Sequence, residues 1–103
     1  MKESIVDLTD RELIVLLGLL NDAYGYPYDD YEQGVKENKE KFGELHDKAY
    51  KNNFLEHHDL PLAILALVQA VRHHGSGDLI AIHDDVTLDE IQALLSKLEK
   101  IKV

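Results

Sequence analysis

The chain has 103 residues, of which 45% are hydrophobic, enough for one compact domain but too few for two. Twenty acidic residues against eleven basic ones give a formal net charge of -9, which disfavours a nucleic-acid or anionic-membrane surface and favours a basic partner. There is no cysteine, no apolar leader and no membrane-length apolar run, so the sequence predicts a cytoplasmic protein without disulfides, iron-sulfur clusters or thiol nucleophiles.

The first predicted element is a helix over about residues 9–24. Thr9 is a candidate N-cap, and Glu12 stands three residues later, as a capping box requires. Leucines then recur at helical spacing, and Gly25 is a suitable stop.

A turn-rich segment, GYPYDDYEQG, follows this helix. Pro27 disfavours helix at the residue before it. The rings of Tyr28 and Tyr31 beside Asp29 and Asp30 either form a contact surface or cover the edge of the core with their hydroxyls in water.

A second helix is predicted over about residues 30–52, with a possible break near Gly34 or Gly43. Apolar residues fall on one side, and charged residues such as Glu44 and Lys48 can pair across a turn on the solvated side.

The most apolar segment predicts a third helix over about residues 60–74. Asp59 is a candidate N-cap, Pro61 suits the first turn, and His73 and His74 suit the C-terminal end. Apolar residues point to every side of this helix. It is therefore either central in a bundle or forms an interface, such as a dimer seam, on its second face.

The C-terminal part predicts two further helices. Asp78 can cap a very short helix over residues 78–82, and Thr87 with Glu90 forms a capping-box pattern before an amphipathic helix over about 88–101. No convincing strand pair or repeat is found. The predicted fold class is all-α, a single-domain antiparallel bundle of four to five helices.

The histidines raise the alternative of a zinc or nickel site. The candidate ligands are His57, His58, Asp59, His73, His74, His83, Asp84 and Asp85. No two histidines have the spacing that puts both on one helix face, so structural roles are favoured and no metal or other cofactor is predicted. Because no nucleophile context or phosphate-binding loop is present either, the chain is not predicted to be an enzyme.

The stretches SIVDLTDRELIVLL, HHGSGDLIAI and TLDEIQALLSKLEK together resemble the immunity proteins of nuclease colicins and S-type pyocins. The resemblance covers Ser4 to about Leu20 and about Leu60 to Lys100. It implies a helical inhibitor of a basic toxin domain and carries Asp78 over as a binding residue.

Two features depart from the family pattern. The family usually follows its Asp-Leu-Ile with two tyrosines and a proline, where this chain has Ala81, Ile82 and His83. About thirty residues, 26–59, have no counterpart in the family. The inserted segment could supply the missing aromatic anchors.

These observations predict an immunity or antitoxin protein that binds and neutralises a basic toxin domain, a nuclease, through an acidic surface. The alternatives are a self-associating helical protein such as a homodimer, in which the acidic residues serve only solubility, and a His/Asp metal-binding protein. The predicted partner-binding residues are Asp78, Asp84, Asp85, Asp89, Glu90, Ile82, His83, Tyr28, Asp29, Asp30 and Tyr31.

Overall fold

The computed structural model describes residues 5–25, 38–74 and 85–102. In chain order the elements are β1 Ile5–Val6, α1 Asp10–Gly25, α2 Lys39–Asn52, β2 Leu55–Glu56, a 3-10 turn His57–Asp59, α3 Leu60–His73 and α4 Leu88–Lys102. Helices dominate these ranges and form a small bundle, which confirms the predicted fold class. Within the same ranges, none of the helices combines the length and apolar character needed to cross a bilayer.

Helix α1 begins with the predicted capping box. The Thr9 backbone N–H donates to Glu12 Oε1 at 2.9 Å, and the Glu12 N–H donates to Thr9 Oγ1 at 3.1 Å. Two N–H groups that lack partners within the helix are thereby satisfied. The apolar stripe of α1 is buried in the core and includes Leu13, Val15, Leu16, Leu19 and Leu20.

Helix α2 begins at Lys39, so residues 30–52 do not form one unbroken helix, an alternative that the prediction left open at Gly34 or Gly43. Asn38 has φ -108° and ψ 14° and stands at the N-cap, outside the helix. The residues before it, 26–37, lie outside the described ranges. Gly43 does not break α2, and Phe42, which is fully buried, anchors the helix to the core.

A two-stranded antiparallel sheet joins the N-terminal arm to the chain after α2, although no strand pair was predicted. Ile5 pairs with Glu56, and Val6 with Leu55. Each strand has only two residues, which is too short for an alternating pattern to be visible in the sequence. Asn53, with a positive φ of 65°, ends α2 and turns the chain toward β2.

Helix α3 lies at the centre of the bundle and contacts α1, α2 and α4. Its buried side chains include Leu60 and Leu67, and the small residues Ala63, Ala66 and Ala70 are also buried. The remaining apolar side chains are half-buried against the same core and are Leu62, Leu65, Val68 and Val71. This central position accounts for a helix that is apolar on all sides.

The start of α3 differs from the prediction in one respect. Asp59 stands at the N-cap, but its side chain makes no capping hydrogen bond. Its carboxylate instead accepts a hydrogen bond from Lys48 Nζ at 2.8 Å. At the other end, His73 closes the helix and is buried, while His74 follows in an extended conformation.

Helix α4 begins with half of the predicted capping box. The Glu90 N–H donates to Thr87 Oγ1 at 3.2 Å, but both carboxylate oxygens of Glu90 accept hydrogen bonds from Arg11. The helix packs on α3 and buries Ile91, Leu94 and Leu98. The predicted short helix over 78–82 lies outside the described residues.

Candidate partner-binding surface

Three of the predicted binding residues lie in the described part of the chain. Asp85, Asp89 and Glu90 stand at the N-terminal end of α4 and in the turn before it. The other predictions lie outside the described residues and are Asp78, Ile82, His83, Asp84, Tyr28, Asp29, Asp30 and Tyr31.

Arg11 joins the first turns of α1 and α4. Its Nε donates to Glu90 Oε2 at 2.7 Å and its Nη2 donates to Glu90 Oε1 at 2.9 Å, a bidentate pair. The same Nη2 lies 3.5 Å from Asp85 Oδ1. Two predicted binding acids are therefore partly neutralised by a cation of the same chain, which the sequence did not reveal.

The Arg11 pair fixes the charge state of Glu90. Hydrogen bonding to Arg11 lowers the pKa of Glu90 below its ordinary value, against the opposing effect of burial. The hydrogen bond to Glu90 likewise raises the pKa of Arg11. Both groups are ionised at neutral pH, and their contact positions α4 against α1.

A second ion pair supports the same junction. Glu12 Oε1 accepts a hydrogen bond from Lys97 Nζ at 2.6 Å, in addition to the bond from the Thr9 N–H. Burial alone would raise the pKa of Glu12, but the hydrogen bonds from Lys97 and Thr9 outweigh it and lower that pKa. Glu12 and Glu90 thus hold the two helices together.

Other acids at this junction have exposed side chains. We name the group formed by Asp7, Asp10, Asp85 and Asp89 the α1–α4 acidic surface. These four acids together with Glu12 and Glu90 carry six negative charges, and the positive charges of Arg11 and Lys97 reduce the net charge of the junction to -4.

Asp7 and Asp10 were absent from the predicted site. Asp10 directly precedes Arg11 and Asp7 lies four residues before it, but no local pattern relates this segment to residues that lie more than seventy positions later. The long-range contact of Arg11 with Glu90 brings the two acidic segments together.

Two candidate metal ligands, His58 and Asp59, do come together, with Glu56 as a third. One potential ligand atom from each of these residues lies within 4.8 Å of the other two. Lys48 Nζ lies among them: it donates to Asp59 at 2.8 Å, pairs with Glu56, and lies 3.3 Å from His58 Nε2. A metal would have to displace this ammonium group.

The Lys48 cluster has a structural role, since it ties α2 to the segment that starts α3. Hydrogen bonds to Asp59 and then Glu56 raise the pKa of Lys48, and the bond from Lys48 lowers the pKa of Glu56. Helical spacing predicted that Lys48 pairs with Glu44. In the structure Lys48 instead binds Glu56 and Asp59, which lie after its own helix.

No protein-family model, curated protein or solved structure matches this chain. The resemblance to the immunity proteins of nuclease colicins and S-type pyocins stays a prediction.

Proposed function

We propose that the chain is an immunity or antitoxin protein that binds and neutralises a basic toxin domain, a nuclease, through the α1–α4 acidic surface. The observation that supports this proposal is the concentration of exposed carboxylates around a junction whose inner charges are already paired. Asp7, Asp10, Asp85 and Asp89 are exposed, whereas Glu12 and Glu90 are half-buried and bound to Lys97 and Arg11.

Charge explains why such a surface suits a nuclease. A nuclease needs positive charge at its active site to bind phosphate groups. An acidic protein is attracted toward that charge over long range, which raises the association rate. Once bound, it covers the cationic surface and repels the phosphates of the substrate.

The two ion pairs also favour binding because they hold the surface in place. Arg11 and Lys97 fix the first turn of α1 against α4, so Asp10 and Asp89 are presented by helices that do not have to be ordered on binding. Preorganisation of this kind reduces the entropy lost on association.

The test compares two charge reversals on the same helix, Asp89→Lys and Glu99→Lys. Both residues are exposed and both substitutions change the net charge equally. They lie ten residues apart on α4, about 15 Å along the helix axis, which exceeds the Debye length of about 8 Å at physiological salt.

The binding partner for this test is the basic toxin domain that the proposal predicts a neighbouring gene to encode. We expect Asp89→Lys to slow association by about tenfold and to reduce its salt dependence, with a smaller effect of Glu99→Lys, as measured by stopped-flow or surface plasmon resonance. Equal effects would show that only net charge matters. Absence of binding by the unsubstituted chain would reject the proposal.

Self-association is less well supported by the described residues. Their exposed large apolar side chains are Ile5, Ile14, Tyr24 and Tyr50, and none of these lies on α3, the helix that suggested a dimer seam. Size-exclusion chromatography with light scattering should give a monomer, and a stable dimer would favour the alternative function.

A further inference from the structure

A second acidic feature lies between α1 and α2, at the opposite end of α1 from Arg11. It is an open groove of about 520 Å³. Tyr24, which lines it, is thirteen residues from Arg11, about 20 Å along the helix axis. The groove is therefore distinct from the α1–α4 acidic surface. Its lining residues are Asn21, Tyr24, Glu40, Gly43, Glu44, His46 and Asp47.

One wall of the groove is the ring of Tyr24, which lies directly against the backbone of α2. A Cβ atom at Gly43 would lie 2.8 Å from Tyr24 Cδ1 and 2.9 Å from Cε1, so only glycine allows this approach. Glycine in the interior of a helix lowers its stability. Tyr24, whose ring lies against Gly43, is nevertheless 47% exposed and therefore contributes little to the core.

A second aromatic pair lies on the same helix. His46, which lines the groove, stacks on Tyr50 with ring centroids 6.2 Å apart and an interplanar angle of 3°. Tyr50 is 71% exposed, so this stack also faces solvent.

Carboxylates complete the groove. Glu40, Glu44 and Asp47 are exposed, and no lysine or arginine is found among the described residues that line it. The groove thus combines three carboxylates with the aromatic rings of Tyr24 and His46.

We propose that this groove binds an arginine side chain of a basic protein segment. A guanidinium group is planar and weakly hydrated, stacks on aromatic rings and donates paired hydrogen bonds to a carboxylate. A lysine ammonium is a compact, strongly hydrated point charge that matches the carboxylates but not the rings. The groove therefore distinguishes the two cations by its aromatic component.

The occupant belongs to another molecule. Residues 26–37, which directly follow α1, contain four acids and one lysine, so their charge has the same sign as that of the groove. This proposal does not depend on the proposed function. The two have in common only that the bound group carries positive charge.

The test uses isotope-labelled full-length chain and two capped pentapeptides, Gly-Arg-Gly-Arg-Gly and its lysine analogue, at physiological salt. Binding of the arginine peptide should shift the amide NMR signals of Tyr24, Gly43 and Asp47. We expect it to bind about threefold more tightly than the lysine peptide, the contribution of one exposed cation–π contact.

Two variants separate charge from aromatic recognition. Glu44→Gln should weaken binding of both peptides about threefold, and the matched control Glu99→Gln, an exposed acid on α4, should have little effect. Gly43→Ala changes no charge but displaces the Tyr24 ring, so it should remove the preference for arginine while far-UV circular dichroism shows the helices intact.

Equal affinity for the two peptides would overturn the proposal, as would equal effects of Glu44→Gln and Glu99→Gln or signal shifts confined to other acidic surfaces. The assay contains no toxin domain. Its failure would leave the α1–α4 acidic surface unaffected, and failure of toxin binding would leave the groove unaffected.

Discussion

The contact between Gly43 and Tyr24 gives the substitution Gly43→Ala two opposing effects on stability. Alanine is favoured over glycine in a helix interior by about 1 kcal/mol. The new Cβ would lie 2.8 Å from Tyr24 Cδ1, well inside the usual carbon–carbon separation of about 3.5 to 4.0 Å. The ring must therefore turn toward solvent for the methyl group to fit.

The size of the second effect follows from the exposure of Tyr24. At 47% exposure, roughly half of an aromatic surface of about 200 Å² is buried. Losing about half of that burial at about 25 cal/mol per Å² costs about 1 kcal/mol. Gly43→Ala should consequently be nearly neutral in the natural chain, but stabilising by about 1 kcal/mol when combined with Tyr24→Ala.

Urea denaturation followed by circular dichroism on the natural chain, the two single variants and the double variant measures this coupling. Gln92→Ala, at an exposed position of α4 far from Tyr24 in the chain, is the control, and its effect should be the same with or without Tyr24→Ala. If Gly43→Ala stabilises both backgrounds equally, the Tyr24 ring does not limit the approach of α2.

Three further predictions concern the core, a cap and an ion pair. Phe42→Ala removes a fully buried ring and should lower the free energy of unfolding by about 3 to 5 kcal/mol in urea denaturation, whereas a cost below about 1 kcal/mol would mean that α2 is not anchored there. Thr9→Ala removes a cap and should cost about 1 kcal/mol in the same assay, with Thr9→Ser as the conservative control. Arg11 lowers the pKa of Glu90 below its ordinary 4.5, so the pair stabilises the fold fully above about pH 4.5, and this contribution is lost as the pH falls through the lower folded-state pKa. Glu90→Gln should therefore lose less stability than the natural chain between about pH 6 and pH 3 in thermal melts, and an equal loss would contradict that role of the pair.

Three of the helices could be located from local sequence because each combines apolar residues at helical spacing with recognisable ends. The predicted ranges 9–24, 60–74 and 88–101 differ from the observed Asp10–Gly25, Leu60–His73 and Leu88–Lys102 by about one residue at each end. Residues 30–37 contain no such start signal, and the charge pattern alone predicted a helix start about nine residues before Lys39. Asn38, a residue type that favours caps, marks the true boundary.

The two misassigned side chains share one physical cause. Asp59 and Glu90 were both predicted to bond to nearby backbone N–H groups, as capping patterns require. In the structure their carboxylates bind Lys48 and Arg11 instead. A hydrogen bond between two charged groups is stronger than one to a neutral N–H, so a cation from a distant helix prevails over the local cap. Sequence patterns within a few residues contain no information about such a cation.

The same contacts define two groups among the acids that the structure describes, and sequence cannot distinguish them. Glu12, Glu56, Asp59 and Glu90 bind lysine or arginine side chains and join helices. The carboxylates of the α1–α4 acidic surface and of the groove are more exposed, although Asp85 also lies 3.5 Å from Arg11 and Asp47 lies 3.1 Å from His46. Substitution of the first group should therefore change stability, and substitution of the second should change association. A count of acidic residues alone overstates the exposed acidic surface, because several of those charges maintain the fold that presents the others.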